Sequence, residues 1–360
     1  MSRPVTPADE FITHGVPASV DASAQAQRAW FDHTEMMIVP PDPGDPIVNS
    51  YFQAHQSIGM LHGYTIVLHE GSQHNVKGGR ELTAAEDFTG RVDTTLGPIA
   101  QAVVDPFARW TFSLEPTADS DIAVEAVCVP STPPNLWPRM EHPIDDPARY
   151  HTRQDVLLQL ITVVQGHLRI GSRTWDIAGW RGFRDHCWGF RLPAPTGGPS
   201  VHTWLPAFFP ARQLLLMHRE NTARESMYSA ATVFGEKGVE DVAEISMGMA
   251  GEPGQAVPTR VEWDFEGTSG SHHLETGPIE FENATFIAGG WMGESADEYY
   301  GPFRVEADTW GEKERREAAK VPGIRGMARY RVPYRFDDEE GYGLLAAFMA
   351  NDYEPTLNGA

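Results

Sequence analysis

Apolar and polar residues along this chain alternate mostly at period two, in short runs punctuated by Gly and Pro. Trp110-Thr111-Phe112-Ser113-Leu114 alternates strictly, and Ile122, Val124, Ala126 and Cys128 share one face of an extended segment. Gly166 to Ile177 reads as a hairpin: Leu168 and Ile170 point inward, Gly171-Ser172 turns, and Trp175 and Ile177 return. Segments 327–336 and 342–349 repeat the pattern. Helical signals are few. An Ala-rich stretch from Ser23 to Met37, ahead of the Pro40-Pro41-Asp42-Pro43 break, predicts a short N-terminal helical arm. Thr309 to Lys320 predicts a solvated surface helix with Asp308 as its N-cap. Many short strands without β–α–β spacing predict an all-β fold of antiparallel barrels or sandwiches. At 360 residues the chain is too long for one ordinary core. Pro193 to Pro199, with Gly197-Gly198, is the interior hinge. The expected organisation is an arm over 1–44, a β domain over 45–200 and a second β domain over 201–360.

Charge changes the list of partners. The chain carries 28 basic and 50 acidic side chains, a net charge of −22 that opposes phosphate backbones and anionic lipid. No nucleic acid partner and no stable membrane insertion are expected, since no window approaches the roughly 18 apolar residues of a span. A homo-oligomer stays open. Two cysteines and the absence of a basic-then-apolar leader after Met1 fit a reducing, cytoplasmic setting. There is no Gly-x-Gly-x-x-Gly or phosphate-cradling loop. His62, His69 and His74 with Glu70 lack metal-binding spacing, and His272-His273 follows a Gly-Ser turn. Neither cofactor nor metal is therefore expected.

The chemistry concentrates in Trp180-Arg181-Gly182-Phe183-Arg184-Asp185-His186-Cys187-Trp188-Gly189-Phe190-Arg191. As a strand it puts Arg184, His186 and Trp188 on one face, and Asp185, Cys187 and Arg191 on the other. A bulge at Asp185 would bring its carboxylate to the His186 side. A cation, an imidazole and an indole on an apolar face are costly to bury unsatisfied. The segment therefore reads either as an ion-paired strand staple or as a reactive site. Downstream, His218 and Glu220 share a face at the end of an apolar strand, and Trp204 and Phe208 are candidate pocket walls. Cys187, pointing away from His186, reads as a packed thiol.

The block from Arg184 to Arg191 resembles the Arg-Asp-His-Ser-Trp-Gly-x-Arg block of bacterial proteins related to carotenoid 1,2-hydratase (hydroxyneurosporene synthase), with Cys187 at the Ser position. Phe107-Ala108-Arg109-Trp110, Gly166 to Gly171, Tyr300-Gly301-Pro302-Phe303 and Glu340-Gly341-Tyr342-Gly343 resemble further landmarks of that family's uncharacterised branch. The resemblance spans roughly residues 45–355. It implies two tandem lipocalin-like β-barrels and a cofactor-independent hydratase, or related lyase, isomerase or cyclase, acting on a terpenoid-like molecule. Protonating an alkene needs an acid and a wall that tolerates positive charge. His186 is then the proton-transfer residue, Trp188 the wall and Asp185 the orienting carboxylate. Arg184 and Arg191 are structural, and Trp204, Phe208, His218 and Glu220 hold substrate. A lipophilic-ligand carrier, or an acid–base enzyme on an aromatic or steroid-like substrate, would carry the same sequence features.

Overall fold

The structure, a computed structural model, describes residues 5–14, 30–55, 59–86, 92–143, 150–191, 200–242, 244–251, 257–290, 303–321, 327–350 and 353–357. At 141–143, 150–156, 190 and 191 it describes the backbone alone. Regular structure in these residues is nearly all antiparallel strand. The alternating runs pair as their pattern predicts. Arg109–Leu114 joins Ala123–Pro130, Tyr150–Ile170 turns through Gly171-Ser172 into Arg173–Asp176, and Ala328–Phe336 joins Glu339–Met349.

The strands form two sheets. The first has 14 strands, with Ile47–His55, Trp30–Val39, Arg181–Arg191, Tyr150–Ile170 and Ala123–Pro130 side by side at its centre. The second has 10, centred on Arg212–Glu220, Val201–Phe208, Glu339–Met349 and Ala328–Phe336. Both curl until their ends meet. In the first, Gly97, just after one terminal strand, approaches the other, Phe303–Trp310, so closely that a Cβ would lie 2.9 Å from Val305. In the second, Glu240 of the terminal strand Gly238–Val242 accepts hydrogen bonds from Thr268 and Ser269, beside Arg260–Gly267 near the opposite end. The result is two nearly closed, lipocalin-like antiparallel barrels.

Each barrel has its own core, and a third apolar cluster joins them. Met36, Val48, Phe52, Trp110, Leu158 and Leu160 fill the first barrel, and Leu214, Leu216, Trp263, Tyr330 and Phe336 fill the second. Between them lie Met37, Leu157, Ile161, Phe183, Trp204, Leu215, Met217 and Phe348. The central strands of the first sheet are therefore buried on both faces. Trp137 donates its indole N–H to Thr232 across the junction at 3.1 Å, and Arg331 donates to the Pro40 and Pro41 carbonyls.

Two expectations need correction. Trp30–Val39 is a strand, not the end of a helix; the rest of that predicted helix, 23–29, lies outside the described residues. The strand packs on both sides, so it lacks the alternation that reveals a strand with one wet face. The surface helix runs over Glu312–Ala318 with Gly311 as N-cap, because Asp308 is taken up by the strand Phe303–Trp310. The hinge at Pro193–Pro199 lies outside the described residues. Strand pairing crosses the boundaries drawn from sequence. Trp30–Val39 pairs with Ile47–His55 and Arg181–Arg191, and Phe303–Trp310 returns from the second half to pair with Ser72–Glu81. Among the described residues no helix is long and apolar enough to cross a membrane.

Candidate functional site

The chain contains two Asp-His dipeptides, Asp32-His33 and Asp185-His186. They lie on neighbouring antiparallel strands in unbroken register: Thr34 faces His186, His33 faces Cys187 and Glu35 faces Asp185. A two-residue offset lets each carboxylate reach the other strand's imidazole. Consecutive residues point to opposite faces, so one Asp–His pair forms inside the first barrel and the other between the barrels.

The inner pair is His186 Nε2 with Asp32 Oδ1 at 2.7 Å, both fully buried. Asp32 also accepts from the backbone N–H groups of Thr13 and His14 and from the His14 ring. Burial opposes the Asp32 charge, but His186 and His14 together hold the carboxyl well below the usual range. Burial lowers the His186 pKa against the pull of Asp32. Trp188 stacks on His14, ring centroids 3.5 Å apart. Arg184 donates to the Glu10 carboxylate at 2.8 Å and to the Glu10 carbonyl at 2.9 Å, above Trp110, whose indole donates to the same carboxylate at 2.6 Å. Arg184 thus holds a carboxylate, but that of Glu10, not Asp185. The Arg191 side chain lies outside the described residues.

The outer pair opens on space. His33 Nε2 lies 3.0 Å from Asp185 Oδ2, and Gln159 donates to Asp185 Oδ1 at 3.3 Å. Cys187 Sγ sits 3.4–3.5 Å from both His33 ring nitrogens. Beside them Glu35 forms an ion pair with Arg329 of the second barrel, and Arg329 donates to the Tyr64 hydroxyl at 3.4 Å. Burial pushes the Glu35 carboxyl up against the pull of Arg329. Burial likewise works against the Arg329 charge, but Glu35 and Tyr64 hold it above its ordinary value. His33, Asp185, Glu35, Tyr64 and Arg329 line a cleft between the barrels holding about 570 Å³ of space, counting the part that opens to solvent. The opposite wall carries Trp204, Met217 and Arg219, with Arg219 Nε donating to His202 Nδ1 at 2.8 Å.

The expected site residues therefore separate. Asp185 cannot orient His186: the unbroken register against Trp30–Val39 leaves no bulge at Asp185, and its carboxylate stays on the far face with His33. Cys187 is buried, but against an imidazole rather than in plain apolar packing. Trp204 lines the cleft. Phe208 packs edge-on to Tyr342 in the junction between barrels. His218 and Glu220 do pair, at 2.9 Å, with Ser229 on the other ring nitrogen and Tyr353 donating to Glu220. They alternate with the cleft-lining Met217 and Arg219, so they face away from the cleft.

No family model matches the chain, and no curated protein matches its sequence. Among solved structures it is similar to a candidate AttH protein from Nitrosomonas europaea, with a TM-score of 0.58 and 11% identity over 93% of this chain and 97% of that one. It also aligns with kievitone hydratase from Nectria haematococca, with a TM-score of 0.44 and 9% identity over 95% and 98%. The AttH likeness establishes the fold. It covers both barrels.

Sequence reasoning missed His33, Glu35, Tyr64 and Arg329. The available signal was the second Asp-His dipeptide, whose matching order on an antiparallel neighbour brings each acid to the other's base. Metal-ligating atom types also converge at His14, Asp32 and His186, at His33, Asp185 and Cys187, and at Glu262, His273 and Glu275, each set within 4.8 Å. Members of each set already contact one another, His186–Asp32 at 2.7 Å, His33–Asp185 at 3.0 Å and His273–Glu275 at 4.0 Å.

Burial also makes the fold acid-sensitive. It lowers the pKa of His55 to about 4 and those of His62 and His186 below the ordinary value. As pH falls below 6.5 these histidines take up protons in the unfolded chain before they do in the folded one, so the stability they contribute is fully present above pH 6.5 and is lost as pH drops, for His55 down to about 4. His55 alone accounts for up to about 3 kcal/mol at pH 4. Urea midpoints should fall steadily from pH 7.5 to pH 5, and His55→Gln should flatten the slope; equal midpoints at both pH values would refute the assignment.

Proposed function

We propose that this protein is an acid–base hydratase, or a related lyase, isomerase or cyclase. Its substrate is a hydrophobic, terpenoid-sized small molecule held between the barrels. The carrying observation is the buried His33–Asp185 pair on one wall of a cleft that also presents an apolar surface of Leu157, Trp204, Met217, Ile287 and Met327 beside the polar groups Glu35, Tyr64, Arg219 and Arg329. A carboxylate that fixes one ring nitrogen sets the imidazole's orientation and tautomer, as a general acid–base requires. The apolar wall excludes water from the rest of the substrate and strengthens polar interactions at the reacting end. The resemblance of the Arg184–Arg191 block to hydratase relatives supports the same reaction class. The side chains present supply the proton transfers, so the proposed reaction calls on no cofactor. On this reading His186–Asp32 backs the site from the barrel interior.

The test is turnover. Chelator-treated protein incubated with a panel of terpenoid alkenes and enones and the corresponding alcohols should shift substrate mass by one water, in many-fold molar excess over protein. Ligand retained one-to-one, with no product from any panel member, would instead establish a carrier.

A further inference from the structure

The cleft wall beside His33 is built to hold an oxygen that gains negative charge. Tyr64 lines the cleft with its hydroxyl accepting a hydrogen bond from Arg329, which leaves the phenolic O–H to act as donor. Its ring is clamped. Tyr51 stacks on one side with centroids 5.0 Å apart and planes 13° from parallel. The short helix Ile287–Gly290 approaches so closely that a Cβ at Gly290 would lie 2.3 Å from Tyr64 Cγ. Arg329 is itself fixed by Glu35, which faces Asp185 directly across the strand pair. Tyr51 lies between the two functions, its ring also 5.0 Å from His33. A rigid, charge-backed donor therefore stands one ring's width from a proton-transfer pair. Arg219 adds a second cation to the same cleft, against the two carboxylates of Glu35 and Asp185. The oriented Tyr64 donor, rather than net charge, favours an oxyanion at this place.

Resting on the hydratase reading, we propose that the substrate is an α,β-unsaturated carbonyl compound whose carbonyl oxygen is bound by Tyr64 and Arg329. In the hydration direction His33 takes a proton from water, and the water oxygen bonds to the β-carbon. The C=C pair shifts to form the enolate C=C, and the carbonyl pair moves onto the oxygen facing Tyr64. His33 then returns its proton to the α-carbon as the enolate collapses to the carbonyl. One enone and one water give one β-hydroxy carbonyl, with no electron acceptor or donor required. Burial raises the Tyr64 pKa, so the phenol stays a donor across the working pH range.

The test uses 4-nitrophenol, whose anion mimics the enolate oxygen and whose ionisation is visible by absorbance, with nitrobenzene as the neutral control. The intact protein should bind 4-nitrophenolate at least tenfold more tightly than nitrobenzene. It should also ionise the bound phenol at a lower pH than in solution. Tyr64→Phe, which keeps the clamped ring, should remove that preference while nitrobenzene binding changes less than twofold. Arg329→Lys should retain part of it. No anion preference in the intact protein, or an unchanged preference in Tyr64→Phe, overturns the inference. Failure of the hydratase reading is seen separately. An intact protein that converts no member of the panel sinks that reading even if nitrophenolate binds as expected, whereas turnover that is lost in His33→Gln, with no anion preference in the intact protein, sinks the oxyanion site alone.

Discussion

Replacing Arg184 by Ala should destabilise the fold by roughly 3–5 kcal/mol, the cost of leaving one member of a buried ion pair without its partner. The Glu10 side chain has no exposed surface and that of Arg184 only 2%. Removing the guanidinium strands the carboxylate with the Trp110 indole N–H and the Phe107 backbone N–H, and opens space above the Trp110 ring. The pair also docks segment 5–14, which places Ile12 in the first core and His14 over Trp188. Chemical denaturation should show the loss, and the Glu10→Gln/Arg184→Met double variant should recover most of it, since no buried charge remains. A single-variant loss below about 1 kcal/mol would mean that water reaches Glu10 and the pair behaves as a surface one.

The second large effect concerns rate. With a substrate in hand, His33→Gln and Asp185→Asn should each lower kcat by about 10²–10⁴, the usual contribution of a positioned acid–base group. Both variants should retain folded-state circular dichroism. Gln keeps a polar group near Asp185 but cannot exchange a proton, and Asn can leave the imidazole in the wrong tautomer. His186→Gln should behave differently. It removes one of four hydrogen bonds to the buried Asp32 carboxylate, so its main effect should be on stability, with kcat in the folded fraction changing less than tenfold. If the roles reversed, the reactive face would be the barrel interior, and Asp32 with His186 would become the catalytic pair.

How much of this was legible depends on which faces each strand buries. Arg109–Leu114 and Ala123–Pro130 each have one wet face, so their alternation declares them. Trp30–Val39 is buried along its whole length between a barrel core and the second barrel, and Phe31, Met36, Met37 and Ile38 pack on alternating sides. Nothing at period two survives there to be read. The division of faces on the Arg181–Arg191 strand was readable, and Arg184, His186 and Trp188 do share one side. What could not be read was the partner of each group. Asp32 and His33 are 154 and 152 residues from the groups they serve, and only the strand register brings them together. Likewise the pairing of His218 with Glu220 follows from alternation alone. That the cleft takes the intervening residues Met217 and Arg219 follows only from how the barrels dock.

The return of Phe303–Trp310 to the edge of Ser72–Glu81 has a consequence for synthesis. All other strands of the first sheet have left the ribosome once residue 191 has, yet its last edge strand lies roughly 120 residues further on. At ordinary translation rates of about 5–20 residues per second, that edge waits on the order of 6–24 s for its partner. During the wait Ser72–Glu81 presents open backbone donors and acceptors, the kind of edge that recruits foreign strands. Its side chains are poor for that purpose, with Gly78-Gly79 between Lys77 and Arg80. The nascent chain is thus shielded from aggregation by the residues that later accept the strand completing the barrel.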